Sequence, residues 1–104
     1  MSNVYSRSQK HQAALKRRVE RNIESVKQAI AKDIAQILID QQLTQTDAAY
    51  IMQDAPSQVS LVVTGKLRGF SIERLFRMRA LLGAKVRVVV SSGTAFGEVV
   101  YIAQ

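Results

Sequence analysis

Nine residues between positions 44 and 68 carry the chemistry this chain can offer: Thr44, Gln45, Pro56, Ser57, Gln58, Ser60, Leu61, Lys66 and Arg68. Ser57, Gln58 and Ser60 have hydroxyl and amide groups of the kind that hydrogen-bond to base edges, and a glutamine can make a two-point contact to adenine. Leu61 shares their outward face, and Pro56 opens the segment that holds them. Thr44 and Gln45 open another segment, where backbone N–H groups free at a helix start can hold a phosphate. Lys66 and Arg68 follow closely as phosphate anchors. The competing reading of each side chain is a polar surface kept for solubility, so the elements that position them decide.

Covalent and metal chemistry find no support. The 104 residues include no cysteine and a single histidine, His11, in a polar stretch without convergent partners. There is no paired-carboxylate cluster and no phosphate-binding glycine loop, so no catalytic residues, cofactor or metal site are expected, and the chain is not read as an enzyme. Six aromatic residues lack the interleaving of a base-stacking platform, which ranks RNA low.

Residues 43–79 have the punctuation of three short helices. Thr44 can cap a helix over Gln45–Met52, with Asp47 three residues on as the acid of a capping box. Gln53, Asp54 and Ala55 interrupt the periodicity, and Pro56 suits the first turn of a second helix, where its missing N–H costs nothing. That helix is expected over residues 56–64 and stopped by Gly65, with Val59 and Val62 inward and Ser57, Gln58, Ser60 and Leu61 outward. Ser71 is a cap for a third helix over residues 72–82, whose Ile72, Leu75, Phe76, Met78 and Leu82 form a core face, and Gly83 ends it.

A short capped helix, a three-residue turn and a second helix form a helix-turn-helix signature. Through LTQTDAA, QVS, TGK and FSIERL leading into LLGAKVRVVV, residues 23–90 resemble the XRE regulators, the lambda-repressor-like and Cro-like DNA-binding proteins. Within that family the chain looks most similar to HigA-type antitoxins, which bind a RelE-like or HigB-like ribonuclease toxin and repress their own operon. There the turn usually carries a glycine and an apolar residue followed by a serine cap. Gln53, Asp54 and Ala55 depart from that pattern.

The rest of the chain adds charge and a second period. Residues 1–9 are polar and aperiodic and are expected to form a tail. Leu15, Val19, Ile23, Val26, Ile30, Ile34, Ile37 and Leu38 recur at helical spacing over residues 10–41, a stretch long enough that Ser25 with Gln28 is read as the capping box of a second helix after a break near residues 22–25. The period then changes to two, giving strands over 85–91 and 98–103 about a turn at Ser92, Gly93 and Thr94. Two strands alone are marginal and leave open edges, so Val86, Val88 and Val90 are expected to find cover by pairing with a second copy, or on the subunit's own helices.

These elements give a mainly α fold, a lambda-repressor-like helix-turn-helix bundle of about five helices with a C-terminal β-hairpin used for dimerisation. Residues 1–24 are a basic tail and helix, 25–83 the helix-turn-helix domain, and 84–104 the hairpin. A net charge of +7 and a pI near 10.3 suit a polyanionic partner. The charge is uneven: eight Lys and Arg against two Glu in residues 1–32, none against four Asp in 33–63, and seven against two Glu in 64–104. The proposed reading helix is therefore not basic. Phosphate attraction must come from Lys66 and Arg68, from Arg74, Arg77 and Arg79, or from Lys16, Arg17, Arg18 and Arg21, which otherwise form a solvated helix face. No apolar run reaches the roughly 18 residues of a membrane span, and the N-terminus is not a secretory signal, so a cytoplasmic protein is expected. The function expected is sequence-specific DNA binding by a homodimer, as an antitoxin that neutralises a ribonuclease and represses its operon; the alternatives are a stand-alone or phage-type repressor, or a toxin-binding protein with weak DNA binding.

Overall fold

The computed structural model describes residues 4–83, 86–91 and 98–103, with side chains from residue 8 to 83. Four helices and two strands follow one another: α1 (Val4–Asp40), α2 (Gln45–Met52), α3 (Pro56–Val63), α4 (Ile72–Leu81), β1 (Val86–Ser91) and β2 (Glu98–Ala103).

Two expectations are corrected by α1. It is continuous over 37 residues, about 55 Å at the helical rise, and dominates a molecule whose longest dimension is 64 Å. The break near residues 22–25 is absent, so the described residues form four helices rather than about five, and the division after residue 24 lies inside one helix. Gln28 does not reach back as a capping residue. Its Nε2 donates to the Gly65 carbonyl oxygen at 3.1 Å and to Glu24 Oε1 at 3.3 Å. A distant partner and an i−4 neighbour thus orient the side chain, and Ser25 lies inside a continuous helix where no N-terminus needs a cap. The helix also begins at Val4, which replaces the expected irregular tail up to residue 9.

Among the described side chains, those that α1 gives to the core lie in its C-terminal half. Val26, Ile30, Ala31, Ile34 and Leu38 are buried at successive turns, whereas Val19 and Ile23 on the same stripe remain exposed. Against them pack Ala48, Ala49 and Met52 of α2, Val59 and Val62 of α3, Leu67 and Phe70 of the following loop, and Leu75, Met78 and Leu82 at α4. Among the described residues Arg79 is the one buried charged residue of this core, and its Nε donates to Asp33 of α1, tying α4 to the long helix.

Helix ends explain the short connections. Three helices finish in the same way, with a residue just past the helix in the left-handed conformation and paired 6→1 and 5→2 hydrogen bonds: Leu43 N–H to Leu38 O after α1, Asp54 N–H to Ala49 O after α2, and Lys66 N–H to Leu61 O after α3. The left-handed residues are Gln42 (φ 56°), Gln53 (φ 55°) and Gly65 (φ 74°). At Gly65 a Cβ would also sit 3.1 Å from Gln28 Oε1, a tight contact that the glutamine tip would have to yield to, so glycine is favoured there on both counts.

β1 and β2 pair antiparallel, with Val86 opposite Ala103 and Ser91 opposite Glu98; β2 runs beside α1. The expected turn at Ser92–Thr94, Lys85, and the side chains of Val86, Val88 and Val90 lie outside the described residues.

Candidate nucleic-acid interface

The two helices that carry the candidate residues are held by caps of different kinds. At α2, Thr44 Oγ1 accepts the Asp47 N–H at 3.0 Å while Asp47 Oδ2 accepts the Thr44 N–H at 3.1 Å, closing the capping box. Hydrogen bonding to the carboxyl from the Thr44 side chain, and next from the Thr44 backbone N–H, holds Asp47 below its ordinary pKa. Its charge and both bonds occupy part of the α2 N-terminus, so a phosphate there would meet the remaining N–H groups and the exposed Gln45 side chain, beside a carboxylate. At α3 there is no side-chain cap: Ala55 is the cap residue and Pro56 fills the first position.

The departures in the turn keep a helix-turn-helix geometry by other means. Gln53 takes the left-handed position where glycine is usual. Asp54 Oδ1 accepts the Ala55 N–H at 3.0 Å, and both carboxylate oxygens accept from Arg74 Nη2 of α4, at 2.9 and 3.0 Å. The same nitrogen donates to Gln58 Oε1 at 3.2 Å. The guanidinium lies over the Phe70 ring, 4.4 Å from its centroid. One arginine thus clamps the turn, the first turn of α3 and the loop before α4.

Pro56 and Ser57 are exposed at the start of α3, Gln58 and Ser60 are half-buried, and Val59 and Val62 are fully inward. Leu61 departs from the expected outward set, since it is half-buried and packs on the core. Lys66 and Arg68 are exposed on the loop behind α3, and Thr44 and Gln45 are exposed at α2. The structure thus gathers Pro56, Ser57, Gln58 and Ser60 on one helix, with Lys66 and Arg68 on the loop after it.

The supply of phosphate anchors is narrower than the charge pattern suggests. Arg74 is paired with Asp54, and Arg79 is buried against Asp33; neither offers a free charge. Arg77 is exposed. The sequence offered Arg74 as a phosphate anchor; its role as the clamp of the turn gave no signal there, because its partners lie 16 and 20 residues away. Among the described residues, no cluster of His, Cys, Asp or Glu could hold a metal ion, and no helix is long and apolar enough to cross a membrane.

A family profile described as a helix-turn-helix domain matches residues 12–91. No curated protein and no solved structure matches the chain.

Proposed function

This chain belongs to the helix-turn-helix domain family, and from that premise we propose that it is a regulator that binds double-stranded operator DNA sequence-specifically, with α3 as its reading helix. The observation that carries the reading is the first turn of α3, where exposed Pro56 and Ser57 and a fixed Gln58 stand out from a helix anchored by fully buried Val59 and Val62. Ser57, Gln58 and Ser60 contact base edges, and Leu61 borders them. Thr44, Gln45, Lys66 and Arg68 contact phosphates and set the register. With Arg74 and Arg79 neutralised by Asp54 and Asp33, Lys66 and Arg68 carry most of the attraction near α3.

In this reading the protein acts as a cytoplasmic homodimer joined through its C-terminal strands, needs no cofactor and catalyses nothing. It is further an antitoxin that holds a RelE-like ribonuclease and represses the operon encoding both, which rests on the resemblance of residues 23–90 to HigA-type antitoxins. The exposed basic residues of α1, Lys16, Arg17 and Arg21, remain available to either partner.

Selection from a random duplex pool tests the DNA-binding reading. It should yield a site bound at least about a thousandfold more tightly than random DNA at physiological salt. A pool that never converges would refute it. Co-expression with a small basic ribonuclease encoded beside the gene should relieve growth arrest and yield a co-purifying pair; failure of both leaves a stand-alone repressor.

A further inference from the structure

We propose that Arg74 is a specificity-positioning residue, which turns Gln58 into a one-sided hydrogen-bond donor and so makes it a reader of guanine and not of adenine. This rests on the reading of α3 as the base-contacting helix. Arginine has donors only, so the atom of Gln58 facing Arg74 Nη2 at 3.2 Å must be the carboxamide oxygen. The amide nitrogen is left as the group directed away from the clamp. Of the two hydrogens on Nη2, one is shared between the Asp54 oxygens at 2.9 and 3.0 Å, and the other is available to Gln58. The donor is itself immobilised: Asp54 fixes it from the turn, the Phe70 ring supports its face, and its side chain is only 28% exposed.

A two-point contact to adenine needs the glutamine oxygen to accept from the base amino group while the nitrogen donates to the ring nitrogen. Here Arg74 takes one of the oxygen's two lone pairs and holds the oxygen toward the clamp, so a two-point contact to adenine requires Gln58 to turn away from Arg74. A nitrogen acting alone suits guanine, whose major-groove edge offers two acceptors side by side, O6 and N7, and no donor. Adenine offers one acceptor beside an amino group that would find no partner.

The test is a selection followed by competition anisotropy on the full chain. Comparison of the wild-type protein with Gln58→Ala identifies the base pair that Gln58 reads, and the wild type should prefer guanine over adenine there by about tenfold. Arg74→Met, which keeps an apolar contact on Phe70 but removes the donor, should abolish that preference and raise adenine; circular dichroism establishes that the variant is folded. A purely structural role for Arg74 would weaken all sites equally without changing the preferred base. Gln58→Glu retains an oxygen toward Arg74 and replaces the outward donor by an acceptor, so the preference should move to cytosine, whose amino group donates. Adenine preferred by the wild type, or an unchanged guanine preference in folded Arg74→Met, would overturn the proposal while leaving α3 as the reader. No position sensitive to Gln58→Ala would overturn both.

Discussion

Removing the charge of Asp33 should cost more stability than removing its partner. Arg79 is 4% exposed and lies between α4 and α1, where Asp33 supplies the opposing carboxylate and where the Arg79 Nη1 atom already lacks a hydrogen-bond partner. Asp33→Asn keeps the volume and an acceptor oxygen but leaves a cation in the core without its counter-charge. Breaking a buried pair this way costs about 3–5 kcal/mol. Asp33 retains 24% exposure, so solvent screening places the loss near the lower end, about 3 kcal/mol. For a domain of this size that is a fall in Tm of roughly 15 °C. Arg79→Met instead removes the buried cation together with its unpartnered nitrogen, and leaves a carboxylate that reaches solvent, so about 1 kcal/mol is expected. Urea and thermal unfolding followed by far-UV circular dichroism measure both. A loss for Arg79→Met equal to or larger than that for Asp33→Asn would refute the view that the desolvated arginine dominates the pair.

Gln53→Gly should stabilise the fold by about 0.5 kcal/mol, because relief of the left-handed conformation, about 1 kcal/mol, is partly offset by a more flexible unfolded chain; a lower urea midpoint would contradict the strain. Thr44→Ala should destabilise by about 1 kcal/mol through loss of the α2 cap. Since the Asp47 carboxyl titrates below its ordinary value of 3.8 in the folded protein, its contribution is present above that pH and disappears as pH falls through the lowered value. The gap between Thr44→Ala and wild type should therefore narrow between pH 7 and pH 3, and a constant gap would count against the capping box as its source. Truncation after Ser91 should shift the protein toward monomer in analytical ultracentrifugation, whereas an intact dimer would remove the strands from the interface.

What was legible in the sequence is what local chemistry decides. Thr44 with Asp47, Pro56, Ser71 and Gly65 each act within a few residues of themselves, and the structure puts each at the helix end its type requires. The inward pair Val59 and Val62 follows from helical spacing alone. Where a residue's role is set from a distance, the pattern misled. Ser25 and Gln28 match a capping box, yet Gly65, 37 residues on, shares the claim on the amide and the helix runs through. Arg74 and Arg79 counted as surface charge until their partners, Asp54 and Asp33, came into view across 20 and 46 residues. The same long-range clamp shows why a turn without its usual glycine keeps its shape.

The central claim, that α3 reads bases while its flanks supply the charge, is tested most directly by titrating Gln58→Ala and Lys66→Ala against the selected site and random DNA over a range of salt. Gln58→Ala should weaken binding to the selected site by about 1–3 kcal/mol and leave random DNA nearly unchanged. Lys66→Ala should weaken both alike and reduce the salt slope by about one, as one phosphate contact and its counterion are lost. Equal losses on both DNAs for Gln58→Ala would contradict the account, because recognition would then lie outside α3.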